Sequence, residues 1–135
     1  MNTQQQTKWA SAIIGADQPY KTNIILDNHT LIADEPLDNG GKDLGPSPGD
    51  FLRMSLASCT AITLRMYANR KGFDVKQIEV KVHTEQVTDK TIFHCDIEIT
   101  GDLDVHQRKR MLQIANACPI HKMLTNPIEI LTRMV

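Results

Sequence analysis

Between Pro48 and Lys71 the chain runs PGDFLRMSLASCTAITLRMYANRK, and from Phe51 to Ala68 the only charges are Arg53 and Arg65. The apolar residues of this stretch, among them Leu52, Met54, Leu56, Ile62, Leu64 and Met66, do not keep to one stripe. That is the pattern of a helix buried most of the way round. At about 1.5 Å of rise per residue it would be about 35 Å long. Ser47 suits the N-cap, Pro48 the first helical position, and Asp50 completes a capping box with Ser47. Arg70 and Lys71 suit the negative end of the helix dipole, and Gly72 the left-handed residue that closes it. The pattern predicts one long central helix with Cys59 at its middle.

On either side the period is two. Residues 1–7 read as a frayed tail. Trp9 to Ile14 reads as a first strand, Tyr20 to Leu26 as a second and Thr30 to Ala33 as a third, with turn chemistry at Asp27-Asn28-His29. Asp34 to Ser47 is a long loop broken by Gly40-Gly41 and Gly45-Pro46, long enough to suggest a functional or partner-packing role. After the helix, Ile78, Val80, Val82 and Thr84 face one way, and beyond a turn at Thr88-Asp89-Lys90 so do Phe93, Cys95, Ile97 and Ile99. This predicts a half-buried antiparallel hairpin with Cys95 in the core. Asp104, with Gln107 three residues on, starts a second helix whose apolar face is Met111, Leu112, Ile114, Ala115 and Cys118. Pro119 punctuates it, Ile120 to Leu124 adds a turn, and Ile128, Ile130, Thr132 and Met134 alternate as a last strand. The order of elements gives an α+β class, with helices packed on antiparallel sheet, and 135 residues are expected to form a single domain, residues 1–135.

Composition narrows the function. Net charge is −1 with no basic cluster, which argues against a nucleic-acid partner. No apolar run reaches membrane-spanning length, and the polar start carries no signal-peptide core. Cys59, Cys95 and Cys118 are too widely spaced for a disulfide framework, so a reducing, cytoplasmic location is expected. No cofactor is expected.

The chemistry-bearing candidates each carry a plainer reading. Cys59 lies among Ala57, Ser58, Ala61 and Ile62 and reads first as an inert core thiol, although the hydroxyls of Ser55 and Thr63, four residues to either side, suit a thiolate. Cys118 is either an apolar residue at a helix end or a resolving thiol beside His121. Cys118 and His121 also have C-x-x-H spacing, but a zinc site usually shows two such pairs, so no metal is assigned. Asp50 stands nine residues before Cys59, about 13.5 Å and about 180° away on a straight helix, which favours capping over activation of the thiol. Arg65, in the buried part of the helix, calls for an anionic partner.

Three segments together carry a resemblance: Gly45-Pro46-Ser47-Pro48-Gly49-Asp50-Phe51-Leu52, then Ser55-Leu56-Ala57-Ser58-Cys59-Thr60-Ala61 with Thr63-Leu64-Arg65-Met66-Tyr67-Ala68, and Ala117-Cys118-Pro119-Ile120-His121-Lys122. With Gly101-Asp102-Leu103 before the second helix, they resemble the OsmC/Ohr superfamily, the osmotically inducible and organic hydroperoxide resistance proteins, and more closely its OsmC-like branch. The resemblance implies an intertwined homodimer, with sheets wrapped outside two long helices and active sites at the interface. It implies a thiol peroxidase active in oxidative stress: Cys59 is oxidised by an organic hydroperoxide to a sulfenic acid, Cys118 condenses with it to a disulfide, and an external dithiol restores both. Cys95 is expected to stay reduced. Asp50, Arg65 and His121 are the supporting candidates.

One departure bears on activity. The family's peroxidases pair an N-terminal arginine with a glutamate ten residues before the reactive cysteine. Here that position is Gly49, with Asp50 beside it, and no arginine precedes Arg53. A lysine such as Lys21 or Lys42 lacks the bidentate fork of arginine. Weak peroxidase activity is therefore one expectation. The alternative is a non-catalytic dimer that binds a small hydrophobic or electrophilic ligand, or a redox-responsive dimer.

Overall fold

The computed structural model describes residues 8–135; the expected tail over residues 1–7 lies outside them. The chain forms two compact units, one ending at Phe51 and one running from Leu52 to Val135.

The first unit is a three-stranded antiparallel meander of β1 (Ser11–Ile14), β2 (Thr22–Leu26) and β3 (His29–Ala33). Ile24 lies opposite Leu31, and Leu26 opposite His29. Asp27 takes the left-handed conformation (φ 51°) that lets so short a turn close. The loop after β3 is tied down at Asp34, whose carboxylate accepts hydrogen bonds from the N–H groups of Glu35 (2.8 Å) and Leu44 (3.2 Å). A 3-10 turn, Leu37–Asn39, lies within it. Gly41 and Gly45 are required here, because a Cβ would stand 1.9 Å from the carbonyl oxygen of Glu35 and 2.1 Å from that of Ile32. The unit ends in the predicted capping box: Ser47 N–H donates to Asp50 Oδ2 (2.9 Å) and Asp50 N–H to Ser47 Oγ (3.3 Å).

That box opens α1 (Pro48–Lys71). The helix closes with Phe73 N–H on Ala68 O (2.9 Å) and Gly72 N–H on Asn69 O (3.3 Å), Gly72 being left-handed at φ 69°. These are the two bonds of a Schellman ending. The helix is not buried all round, as the sequence pattern suggested. Leu56, Thr60, Leu64, Tyr67 and Ala68 form one buried stripe, while Leu52, Met54, Ile62 and Met66 are exposed. Among the described residues, the chain covers one side of this helix and leaves these apolar residues half exposed or more on the other, apart from Met54 at 42%.

In the second unit α1 is followed by the predicted hairpin, β4 (Asp74–Val87) and β5 (Lys90–Asp102). Its register sets Ile78 opposite Ile99, Val80 opposite Ile97, Val82 opposite Cys95 and Thr84 opposite Phe93, so the two sets that alternation grouped face each other. The register slips once, between Val75 and Gln77, close to Gly101, where a Cβ would meet Asp74 O at 2.1 Å. Next come α2 (Val105–Ala115) and α3 (Pro119–Thr125). The α2 capping box is complete: Gln107 N–H donates to Asp104 Oδ1 (2.8 Å) and Asp104 N–H to Gln107 Oε1 (3.0 Å). Leu64, Tyr67, Ala68, Val75, Met111 and Ala115 form the core, with Phe73, Ile78, Ile97 and Ile99 against it. Leu112, expected on the apolar face of α2, is exposed.

The predicted last strand does not form among the described residues: residues 127–135 pair with no strand there, and Ile130 and Leu131 are 82% and 85% exposed. Alternation alone does not make a strand, because its N–H and C=O groups need a ladder partner. The fold is nonetheless the α+β arrangement of antiparallel sheets and a long helix that the pattern called for. Among the described residues, no helix is long and apolar enough to cross a membrane.

Candidate active site

The second unit brings Cys59 and Cys118 together from separate elements. Cys59, part-buried near the middle of α1, interacts directly with the sulfur of Cys118. Cys118 is not at the end of α2, as expected, but is the N-cap of α3. Pro119 occupies the first helical position, where its missing N–H costs nothing. The Cys118 sulfur accepts the N–H of His121 at 3.3 Å and the hydroxyl of Thr60 at 3.8 Å. Cys118 is 0% and Thr60 2% exposed.

These contacts divide the two thiols electrostatically. Burial disfavours the charged form of Cys118, but the N–H groups of His121 and Ile120, with Cys59 and Thr60, overcome it, and its pKa falls below the ordinary thiol value of 9.0. Burial also pushes Cys59 up. The Ile120 N–H and the Thr63 hydroxyl oppose this, Cys118 reinforces it, and its pKa lies above 9.0. The contacts thus favour the thiolate at Cys118 over that at Cys59.

Cys95 corrects another expectation. It lies opposite Val82 in the hairpin, and it is exposed rather than core. It opens onto a cavity of about 640 Å³ between the hairpin and the helices, with Leu56, Phe93, Ile97 and Leu124 on its apolar wall and Thr60, Lys90, Asn116 and His121 among its polar lining. Thr60 was not singled out from the sequence. The signal was present, since Leu56, Thr60 and Leu64 stand at helical spacing on the buried stripe.

The supporting candidates have other tasks. Asp50 is in the capping box. Among the described residues Arg65 meets no anion: its Nη1 donates to the carbonyl of Val75 at 3.0 Å and ties α1 to the start of the hairpin. His121 contributes its backbone N–H to Cys118 and lines the cavity. Among the described residues, no three His, Cys, Asp or Glu side chains converge as metal ligands.

A protein-family model, OsmC-like protein, matches residues 40–133. No curated protein matches the chain. Solved structures do. One is a Psychrobacter arcticus protein described as an osmotic stress induced and detoxification response protein, 27% identical over 91% of each chain, with a TM-score of 0.73. A second is an OsmC-like protein from Mycoplasma pneumoniae, 19% identical over 89% of this chain and 88% of that one, with a TM-score of 0.74. A third is the organic hydroperoxide resistance protein OhrB of Bacillus subtilis, 18% identical over 89% of this chain and 91% of that one, with a TM-score of 0.61.

Proposed function

The chain belongs to the OsmC-like protein family, and from that premise we propose that it is a cysteine-based reductase of organic hydroperoxides, serving in oxidative stress. The observation that carries the reading is the meeting of Cys59 and Cys118 at the N-terminus of α3. The shared fold with OhrB, named for organic hydroperoxide resistance, supports it.

In this reading the Cys59 thiolate attacks the distal oxygen of the hydroperoxide. The O–O bond breaks, the alcohol leaves with a proton from solvent, and Cys59 becomes a sulfenic acid. Cys118, whose thiolate form is favoured by the His121 and Ile120 N–H groups and Thr60, loses its proton to solvent, attacks the Cys59 sulfur and expels hydroxide, forming the disulfide. An external dithiol reduces it. The apolar wall of the cavity beside Thr60, formed by Leu56, Phe93, Ile97 and Leu124, suits an organic rather than an inorganic peroxide.

A homodimer belongs to the proposal. At 100° per residue, Leu52, Cys59, Ile62 and Met66 fall within about 80° of one another on α1. Leu52, Ile62 and Met66 are exposed, Met66 by 67%. A second copy is the partner such an apolar face calls for. Sedimentation at micromolar concentration gives a dimer; a monomer alone refutes this part.

Stopped-flow oxidation with an organic hydroperoxide tests the activity. Cys59→Ser abolishes it, and Cys118→Ser permits the first oxidation but no disulfide. If reduced, folded protein does not react at any pH, the reading falls. The second reading, a dimer that binds a small apolar ligand, then gains from the cavity's size and wall. Binding of an apolar fluorescent probe, displaced by small apolar molecules, would test it.

A further inference from the structure

Arg70 and Lys71, in the last turn of α1, are distant in sequence from Arg110 on α2, yet the fold gathers all three on the ring of Tyr67. The Arg70 guanidinium carbon lies 5.4 Å from the ring centre, that of Arg110 5.6 Å, and the Lys71 ammonium 5.9 Å. The ring itself is fixed in the core: Tyr67 is 6% exposed, and Phe73 meets it edge-on with centres 5.8 Å apart. Arg110 is fixed twice more. Its Nε donates to the Tyr67 hydroxyl at 3.0 Å and its Nη1 to Gln113 Oε1 at 3.1 Å. Both acceptors are neutral. Lys8, Lys76 and Lys81 each pair with a carboxylate, but among the described residues no carboxylate pairs with Arg70, Lys71 or Arg110. Each cation gains from the face of the ring, while the three repel one another. The negative end of the α1 dipole offsets only about half a charge. Unmatched positive charge is therefore held at one point, on side chains open to solvent.

We propose that Arg70, Lys71 and Arg110, arrayed on Tyr67, form a binding site for a phosphate group. Guanidinium forks match the oxygens of a phosphate in pairs, and the lysine adds a compact charge beside them. A doubly charged phosphate gains more from three cations than a carboxylate does. The site takes one such group rather than a nucleic-acid backbone, because the cations surround a single ring instead of running as a stripe, on a chain of net charge −1. The group arrives either on a free phosphate ester or on a lipid headgroup. None of the three cations lines the cavity at Cys95. Neither Cys59 nor Cys118 takes part, so the site stands independently of the reductase reading.

Two titrations of the full chain test this. In the first, inorganic pyrophosphate is titrated calorimetrically with ionic strength held constant by potassium chloride. Saturable submillimolar binding is expected, with acetate far weaker. Arg70→Gln and Arg110→Gln should each weaken it several-fold, and Lys71→Gln, on the most flexible of the three side chains, by less. Lys81→Gln, on the hairpin, should leave it unchanged. In the second, the protein is sedimented with phosphatidylcholine vesicles containing either phosphatidic acid or phosphatidylserine. Pyrophosphate binding that these substitutions weaken assigns the site to free phosphate esters. Sedimentation with phosphatidic acid in preference to phosphatidylserine, lost in the same variants, assigns it to a headgroup. The proposal is overturned if wild-type protein binds neither probe, if acetate binds as well as pyrophosphate, or if folded Arg70→Gln and Lys71→Gln proteins bind as wild type does.

Discussion

Replacing Thr60 by valine keeps the shape of the side chain and removes the hydroxyl that donates to Cys118. Thr60 is buried on the inner stripe of α1, and its Oγ1 lies 3.8 Å from the sulfur. A hydrogen bond to a charged acceptor contributes about 1.5–3 kcal/mol, and one to so distant a sulfur sits below that, at about 1 kcal/mol. At about 1.4 kcal/mol per factor of ten, the Cys118 thiolate fraction on the rising part of its titration should fall about fivefold. The assay is thiolate absorbance against pH in a protein whose other two cysteines are serine. Thr60→Val should move the curve to higher pH, and Thr60→Ser, which keeps the hydroxyl, should return it. A Thr60→Val curve that overlays the parent would show that the hydroxyl does not hold the sulfur, and the account of the acidic thiol would lose one of its supports.

Other consequences of the structure are open to measurement. Leu64→Ala, at a position 0% exposed in the core, should cost about 2–5 kcal/mol in chemical denaturation, and a loss under about 1 kcal/mol would mean the inner stripe of α1 is misassigned. Asp104→Ala should cost about 0.5–2 kcal/mol by removing the α2 capping box, with unchanged stability as the refuting result. Burial raises the Asp34 carboxyl, but the N–H groups of Leu44, Glu35 and Lys42, with the charge of Lys42, hold it below the ordinary 3.8. Its contribution is therefore present above the unfolded value and is lost as pH falls through the lowered one. Asp34→Asn should be the less stable protein at neutral pH, and the gap should close in acid; a gap independent of pH would contradict this.

Local rules carried most of the fold into the sequence. The capping boxes at Ser47/Asp50 and Asp104/Gln107, the closing Gly72 and the hairpin faces are all set by neighbours in the chain, and each stands where spacing put it. Expectations failed where burial depends on what lies across space. The all-round apolar pattern of α1 and the alternation of Ile128, Ile130, Thr132 and Met134 both register surfaces that a single chain leaves open. Cys95 alternates with Phe93 and Ile97 as a core residue does, but alternation fixes only a side of the sheet, and that side opens at Cys95 into a cavity. Arg65 satisfied its guanidinium on a carbonyl because the chain turns back at Gly72 and brings Val75 alongside. The meeting of Cys59 and Cys118 was implied by family resemblance alone. The dipeptide Cys118-Pro119, an N-cap followed by the residue best suited to a first helical position, is the local sign of where the second thiol stands.

The electrostatics of the pair lead to a last expectation, about which thiol limits the rate. Attack on a hydroperoxide needs a thiolate. Cys59 is pushed the wrong way, first by burial and then by the charge on Cys118, and the Ile120 N–H and Thr63 hydroxyl recover only part of this. The family's activating pair is absent, since Gly49 stands at the glutamate position and no arginine precedes Arg53. Arg65 is engaged at the Val75 carbonyl. With its pKa above the ordinary 9.0, Cys59 is mostly protonated at neutral pH, so the first oxidation should accelerate as pH climbs through and beyond that value. Cys118→Ser removes the neighbouring charge. It should therefore lower the Cys59 pKa and make the first oxidation faster at a given pH, even though no disulfide then forms. Stopped-flow oxidation of the two proteins across pH decides the matter. A slower first oxidation in Cys118→Ser would mean that Cys118 serves Cys59 as its proton acceptor, and that its charge promotes the attack it is here argued to oppose.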